Sequence, residues 1–197
     1  QFDKDRIASL GNRQVQSFDS IASLRLTSGT NQANAAQTLG YYAAGDGGAN
    51  VFTWSSTSTA TDNGGTIIKP TSVSGAGRWL AVDTSSVSVL QFGAYGDGIN
   101  DDTPFITAAV AALTALGGGS LVFSRTYKLT ENSTALTQTR FTISSDNVTL
   151  VFLSKAKFLV KSDSAVTIIF ALAGVSYFKT IGTLHVESDA STPYSTT

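Results

Sequence analysis

The chain has 197 residues, of which 14% are charged, and its formal net charge is −1 at pH 7. This balance gives no electrostatic basis for binding nucleic acid or an anionic membrane, and no apolar run is long enough to cross a bilayer. The absence of cysteine excludes disulfides and thiolate chemistry. Serine, threonine and glycine replace the charged residues, which is typical of turn-rich β-structure. The chain begins at Gln1 and contains no methionine, so we expect a fragment or a processed product.

The first residues predict a connector followed by a short helix. Residues 1–16 are polar with a few apolar anchors, and we interpret them as a lead-in from an upstream segment, with a short helix at Asp5–Leu10. A second helix start follows, with Ser17 or Asp19 as its N-cap. The apolar side chains expected to face inward are Ile21, Leu24 and Leu26.

Residues 17–83 predict a small mixed α+β module with about four strands and one helix. Thr38–Trp54 is typical of a β-hairpin, in which Leu39, Tyr41 and Tyr42 enter and Val51, Phe52 and Trp54 return. Two further strands are expected at Thr66–Lys69, ended by Pro70, and at Arg78–Val82. The aromatic side chains of the module would compensate for its small size, because aromatic residues bury the most area each.

The glycine-rich segment Gly45–Gly48 of this hairpin allows two interpretations. It could cradle a phosphate, but it has neither the lysine-serine ending of a Walker loop nor a following helix. We therefore interpret it as a turn.

The segment Val87–Thr130 predicts a strand, an acidic turn, an apolar helix and a second strand. After a short joint at Asp83–Ser86, we expect a strand at Ser88–Phe92 and a turn at Asp97-Gly98. Asp101, Asp102 and Thr103 precede Pro104, a helix-start signal in which Asp or Thr accepts a free backbone N–H. The helix should run to about Leu116, where Gly117–Gly119 ends it. It is almost entirely apolar, so we expect it to be buried or to cover an apolar surface, as a lid on a stack of β-coils would.

Beyond Thr130 the pattern predicts only short strands at roughly ten-residue spacing. This is typical of the first coils of a β-helix, and a β-sandwich would give a similar pattern. The expected strands are residues 140–144, 148–153, 157–160, 166–170, 175–178 and 184–186.

Two stretches resemble a known family. FGAYGDGINDDTPFI, followed by the helix, the glycines and VFSRTYKL, resembles the opening of the pectate-lyase-like right-handed β-helix superfamily, in the version found in bacteriophage tailspikes. FDSIASLRL, LGYYAAGDGGANVFTW, DNGGTIIKP and GAGRWLAV, in that order, resemble the small module that directly precedes the β-helix in many tailspikes.

The resemblance implies a mainly β chain in three parts. Residues 1–16 would be the connector, 17–83 a virion-proximal anchoring module, and 87–197 the capping helix and first coils of a right-handed parallel β-helix. It implies a homotrimer on the virion, in the extracellular phage tail, joined to other tail or baseplate proteins through its N-terminal region. Further coils beyond Thr197 would bind bacterial surface polysaccharide, capsule or O-antigen, and cleave it as a hydrolase or a lyase. The alternatives are a secreted pectate-lyase-like or polygalacturonase-like enzyme, and an adhesive fibre without catalysis.

Several residues could carry chemistry, and each also has a structural interpretation. Asp97, Asp101 and Asp102 could bind calcium or act as acid and base on a glycosidic bond, but turns and helix caps use the same residues. His185 is the only histidine, so it has no obvious metal or triad partners. The remaining candidates are the pair Glu187 and Asp189 on one strand face, the isolated Glu131, and Arg78 beside Trp79. We expect structural roles for them, no active site within these residues, and neither metal nor cofactor.

Overall fold

The computed structural model describes residues 15–29, 34–130, 137–160 and 166–188. The chain divides into two compact units, residues 1–83 and 84–197. The predicted helix at Asp5–Leu10 and the candidate residues Glu131 and Asp189 lie outside the described residues.

The first unit is a five-stranded sheet with one short helix. Its elements are β1 (Val15–Phe18), α1 (Ile21–Arg25), β2 (Ala35–Thr38), β3 (Asn50–Ser55), β4 (Ile67–Ile68) and β5 (Arg78–Ala81). The strands lie in the order β1-β2-β3-β5-β4, with β1 parallel to β2 and the other pairs antiparallel. One face of the sheet packs on α1 around a fully buried Trp79 and Phe52, so aromatic burial supplies most of this small core.

Neither residue predicted as the N-cap of the first helix, Ser17 or Asp19, is the N-cap in the structure. Ser17 belongs to β1, and the helix begins after Ser20. The backbone of Ser20 is extended, and its Oγ accepts the N–H of Ser23 at 3.2 Å. Ile21 and Leu24 are buried, as predicted. Leu26 is 73% exposed because it lies beyond the last helical residue.

The predicted hairpin is present, but its first strand comes earlier in the chain. β2 ends at Thr38 and pairs with β3 from Thr38–Asn50 to Ala35–Thr53. Leu39, Tyr41 and Tyr42 therefore lie in the connecting loop instead of a strand. The reason is Asp46, whose carboxylate draws the backbone of that loop into a turn (described below).

The second unit is a parallel β-helix. Its strands are β6 (Ser86–Ser88), β7 (Asp97–Asp101), β8 (Gly119–Phe123), β9 (Thr126–Leu129), β10 (Thr137–Ile143), β11 (Val148–Phe152), β12 (Lys157–Val160), β13 (Val166–Leu172), β14 (Phe178–Ile181) and β15 (His185–Ser188). They form sheet 1 (β6, β8, β11, β14), sheet 2 (β7, β9, β12, β15) and sheet 3 (β10, β13). Every pairing in these three sheets is parallel and joins strands of successive coils, which excludes the sandwich alternative.

Four predicted segments of the second unit need correction. Ser88–Phe92 is not one strand, because β6 ends at Ser88 and Val89–Phe92 forms a 3₁₀ turn. A capping box between Ser88 and Gln91 stabilises that turn. Asp97-Gly98 starts strand β7, although Gly98 has the positive φ of 71° expected for a turn. The last predicted strands start late: β14 begins at Phe178 and β15 at His185.

The apolar helix is present and covers the core as predicted. Helix α2 (Thr103–Leu116) has a proline in its first turn and ends at Gly117 with a φ of 79°. Ile106, Ala109 and Leu113 are buried against the 3₁₀ turn and the first coils, whereas Thr107 and Ala111 face outward. One face of the helix therefore closes the upper end of the coils, which would otherwise expose their interior.

Aromatic side chains fill the inside of the coils. Phe123 stacks on Phe152 of the next coil, with ring centroids 5.2 Å apart, and meets Phe158 edge-to-face at 5.3 Å. Tyr127 is fully buried beside them and its hydroxyl accepts the N–H of Ser124 at 3.1 Å. The ring contacts of Phe123 join residues about thirty positions apart, so the stacked coils stabilise one another.

Candidate functional site

The acidic segment before α2 is the strongest candidate for chemistry, and the structure assigns each of its carboxylates to backbone amides. Asp97 Oδ1 accepts the N–H groups of Ile99 and Asn100 at 2.8 and 2.9 Å. Asp101 Oδ1 accepts the N–H of Thr103 at 3.0 Å and that of Thr130 at 3.2 Å. Asp101 is thus the side chain that caps the helix, and it also ties the helix start to the end of β9.

Asp102 was expected to cap α2 and does not do so through its side chain. Its backbone occupies the N-cap position, but its carboxylate has no side-chain cap hydrogen bond. The carboxylate is fully buried and accepts the N–H of Tyr95 at 2.6 Å, of Gly96 at 3.3 Å and of Lys128 at 3.3 Å. The Asp102 N–H donates to the Lys128 carbonyl at 2.8 Å. This residue therefore joins the loop before β7 to strand β9.

The three carboxyl groups differ in acidity because they differ in burial. Burial raises the pKa of Asp102 to about 6, and hydrogen bonds from Tyr95, Gly96 and Lys128 oppose the shift without cancelling it. Asp97 and Asp101 also feel some desolvation, which would raise their pKa. Hydrogen bonds from Asn100 and Ile99 to Asp97, and from Thr103 and Thr130 to Asp101, outweigh it and hold both pKa values below normal.

A raised pKa beside two lowered ones is a pattern that active sites use, but the geometry here does not support catalysis. The Asp102 carboxylate has no solvent-exposed surface, so a sugar could not reach it. The oxygens of Asp97 and Asp101 are directed at main-chain N–H groups. We assign this segment to joining the cap to the first coils.

The glycine-rich loop of the first unit holds an internal carboxylate where a phosphate would bind. Asp46 accepts the N–H groups of Tyr41, Tyr42, Ala43 and Gly48 at 2.7–3.1 Å. Desolvation opposes ionisation, but these hydrogen bonds hold the pKa of Asp46 below its normal value. The backbone amides of this loop already bind an anion, so the turn interpretation is confirmed. Reasoning from sequence had missed the role of Asp46.

A second carboxylate of the first unit forms an ion pair that the sequence did not reveal. Arg25 Nη2 donates to Asp62 Oδ1 at 2.9 Å, and Arg25 Nη1 contacts Asp62 Oδ2. Asp62 also accepts the N–H groups of Gly64 and Lys69. The hydrogen bond that Arg25 donates to Asp62 raises the pKa of Arg25, although burial opposes that shift. The pair ties helix α1 to the loop before β4.

Arg78 stabilises the first unit through main-chain acceptors. Its guanidinium is buried and donates to three carbonyl oxygens, those of Ala60, Gly75 and Gly77, at 2.7–3.0 Å. These three hydrogen bonds are consistent with the structural role expected for Arg78.

The candidates near the end of the coils lie on an exposed strand. His185 and Glu187 are both exposed in β15, and Glu187 Oε1 lies 2.8 Å from Lys157 Nζ of the preceding coil. The structure therefore brings Glu187 to a lysine of the neighbouring strand. An exposed ion pair of this kind contributes little to stability.

Two negative findings apply to the described parts of the chain. No three side chains from histidine, aspartate and glutamate come close enough there to hold a metal ion. Nor does any helix in those ranges have the length and apolarity needed to span a membrane.

Comparison with known protein families finds a match for the first unit. Residues 17–84 match the family described as the phage tail protein small four-stranded beta-sheet domain. These residues include β2, β3, β4 and β5, which form one continuous sheet. No curated protein matches the chain by sequence.

Solved structures identify the fold of the second unit. Tailspike protein gp49 of Acinetobacter baumannii bacteriophage Fri1, a capsular polysaccharide depolymerase, aligns with a TM-score of 0.52 and 18% identity over 90% of this chain and 40% of that protein. Pantoea stewartii WceF, a glycan biofilm modifying enzyme with a tailspike-like parallel β-helix fold, aligns with a TM-score of 0.51 and 16% identity over 86% of this chain and 28% of that protein. The chain thus spans less than half of either relative. The predicted fold, a small module followed by a helix-capped parallel β-helix, is confirmed.

Proposed function

We propose that this chain is the N-terminal part of a bacteriophage tailspike. Residues 1–16 act as the connector, residues 17–83 attach the spike to the virion, and residues 87–197 cap and start the β-helical shaft. Coils further along the polypeptide bind a bacterial surface polysaccharide and depolymerise it. The spike is a homotrimer in the extracellular tail of the virion.

The observation that carries this proposal is the order of the two units. A module that matches a phage tail domain is followed directly by a helix-capped parallel β-helix. The fold alone would not separate the possibilities, since a glycan biofilm modifying enzyme has it as well as a phage tailspike. A secreted pectate-lyase-like enzyme has no evident need for the first unit, which makes that alternative the weaker one.

The attachment role is supported by the uncovered face of the five-stranded sheet. The residues of this face alternate with those that pack on α1, and Val51 and Val15 are 46% and 54% exposed there. Thr53, Leu80 and Ile67 continue the same row across β3, β5 and β4. Such a surface, with few charges, suits contact with another protein of the tail.

The carboxylates of this chain support placing the glycan-cleaving site in later coils. Glycosidases of the common kind use two carboxyl groups that flank an accessible bond. Asp97 and Asp101 are engaged by backbone amides, Asp102 is inaccessible, and Glu187 pairs with Lys157. Each of these four carboxyl groups is therefore either engaged by other groups of the chain or closed to solvent.

The test compares this chain with a longer chain that continues beyond Thr197. Both are incubated with capsular or O-antigen polysaccharide, and reducing ends are measured. We expect release by the longer chain only, and the ultraviolet absorbance of an unsaturated product then separates a lyase from a hydrolase. Release by residues 1–197 alone would contradict the placement of the site. Binding without cleavage by the longer chain would instead favour an adhesive fibre.

A further inference from the structure

The chain contains a single Asn-Gly dipeptide, Asn63-Gly64, in the loop before β4. Asn-Gly is the dipeptide most prone to deamidation, because glycine has no Cβ to shield its amide nitrogen from the preceding side chain. The reaction needs no enzyme and no co-reactant except water. In an open chain, therefore, Asn63 is a reactive position.

Deamidation at this site would rearrange the main chain. The Gly64 nitrogen gives up its proton and attacks Asn63 Cγ, so that an N–Cγ bond forms and the Cγ–Nδ2 bond breaks. The side-chain nitrogen takes up the proton and leaves as ammonia, and a cyclic succinimide remains. Water then opens this ring at either carbonyl. The product is an aspartate or an isoaspartate whose main chain passes through the former side chain.

The Asn63 carboxamide, which is the group attacked, is held by hydrogen bonds at both of its ends. Its Oδ1 accepts the N–H groups of Gly65, Thr66 and Ile67 at 2.9–3.1 Å. Its Nδ2, the leaving group, donates to Oγ1 of the buried Thr66 at 2.8 Å. Because Cγ changes from planar to tetrahedral during the attack, both ends of the carboxamide have to move away from these partners.

The attacking nitrogen is held as well. The Gly64 N–H donates to Asp62 Oδ1 at 2.9 Å. Desolvation would raise the pKa of Asp62, but hydrogen bonds from Arg25 and from two main-chain N–H groups outweigh it and hold the pKa below its normal value. A carboxylate of low pKa is a weak base, so it does not remove the Gly64 proton. Its negative charge also opposes the formation of an amide anion beside it.

We propose that Asn63 is a conditional deamidation site, which the folded first unit keeps closed and which reacts only after the loop before β4 has opened. β4 is a two-residue strand at the edge of the sheet, so this loop belongs to the part of the unit that opens most readily. Each opening thus exposes the chain to an irreversible change. An isoaspartate lengthens the main chain by one carbon, so the hydrogen bonds of the loop do not re-form as before.

The test follows the deamidation of the whole chain in mildly alkaline buffer, with and without denaturing urea. The peptide that contains Asn63 is isolated after proteolysis, and its modified fraction is measured over time by mass spectrometry. The chain unfolded in urea gives the intrinsic rate. We expect the folded chain to react at least about tenfold more slowly, since the rate falls in proportion to the fraction of molecules in which the loop is open.

Two threonine variants test whether the contacts of the carboxamide are the cause. Thr66→Val removes the acceptor of Asn63 Nδ2 and keeps the shape of the side chain, and Thr61→Val is the matched control, an exposed threonine of the same loop. In the folded state we expect Thr66→Val to deamidate roughly twofold to tenfold faster than the unchanged chain, and Thr61→Val to match that chain. All three should react at the same rate in urea. Tryptophan fluorescence reports whether the first unit of each variant is folded.

The outcomes that would overturn the proposal are distinct. Equal rates in the folded and unfolded chains would show that the fold does not close the site. A faster reaction in the folded chain would mean that the three N–H groups on Asn63 Oδ1 act as an oxyanion hole and promote the attack. Equal rates for folded Thr66→Val and Thr61→Val would overturn the assignment of the protection to the carboxamide contacts. If Thr66→Val does not fold, the comparison of the unchanged chain with and without urea decides.

Discussion

The buried carboxyl group of Asp102 makes the stability of the second unit depend on pH in an unusual direction. In the folded chain its pKa is about 6, against a normal value of 3.8. The folded state thus binds this proton more tightly than the unfolded state does. The resulting stabilisation is complete below the unfolded pKa and is lost as the pH rises through 6.

The size of the effect follows from these two pKa values. Between pH 8 and pH 5, proton uptake by Asp102 adds about 1.4 kcal/mol to the free energy of unfolding, and the full shift is worth about 3 kcal/mol. Asp97 and Asp101 act in the opposite direction, because folding lowers their pKa values. The stability that they contribute is lost only at a pH below the normal pKa of an aspartate. The interval from pH 5 to pH 8 therefore isolates Asp102.

The perturbation is Asp102→Asn, which removes the titrating group and keeps the shape of the side chain. We expect the chain with Asp102 to gain about 1.4 kcal/mol relative to the variant when the pH is lowered from 8 to 5. Both tryptophans lie in the first unit, so their fluorescence does not report this change. The stability of the second unit is measured instead by native-state hydrogen exchange at the Lys128 amide. The urea dependence of the exchange rate shows whether the amide exchanges through unfolding of the whole unit.

The sign of the difference is the decisive result. If the two chains respond equally to pH, or if Asp102 loses stability relative to asparagine on acidification, burial is not the dominant influence on this carboxyl group. The hydrogen bonds from Tyr95, Gly96 and Lys128 would then match or outweigh it, and the pKa of Asp102 would lie at or below its normal value.

Three further substitutions test separate parts of the structure. Asp46→Ala removes the acceptor of four backbone N–H groups and should destabilise the first unit by roughly 1–2 kcal/mol in urea melts followed by tryptophan fluorescence, with a smaller loss for Asp46→Asn. Gly118→Ala would place a Cβ 2.5 Å from the Asp146 carbonyl oxygen, and should lower the free energy of unfolding by more than about 2 kcal/mol in circular-dichroism melts. The control is Gly117→Ala, where φ is also positive but the space around the new Cβ is open. It should lower the free energy of unfolding by only about 1 kcal/mol. Phe158→Ala opens a cavity in the aromatic core and should cost about 3–5 kcal/mol in the same melts, so a loss below 1 kcal/mol would contradict the stacking of coils described above.

The local features of this chain were predictable because they depend on neighbouring residues. Helix α2 ends where Gly117 supplies a positive φ, and the alternation of apolar residues in Val148–Phe152 identified a strand with one buried face. The order of a strand-rich module and a helix-capped series of short strands was also readable. Those signals led to the fold class that the structure confirms.

Short segments with competing local signals were the places where prediction from sequence was wrong. Val89–Phe92 has the composition of a strand, but the capping box between Ser88 and Gln91 turns it into a 3₁₀ turn. Leu39 and Tyr41 look like strand residues, yet the carboxylate of Asp46 holds their loop. In both cases one or two polar side chains outweighed the apolar pattern, since their hydrogen bonds satisfy backbone groups that a strand would have paired.

Which residues of the chain bind one another was decided only by the tertiary structure. The sequence places Asp102 at a helix start and Arg25 at the end of a short helix. Only folding brings Tyr95 and Lys128 to the first and Asp62 to the second. It also sets the register that aligns Val122, Val151 and Ile181 on one outer face. A sequence pattern specifies which face of an element is apolar, but hydrogen bonds and parallel registers between residues about thirty positions apart depend on how the coils stack.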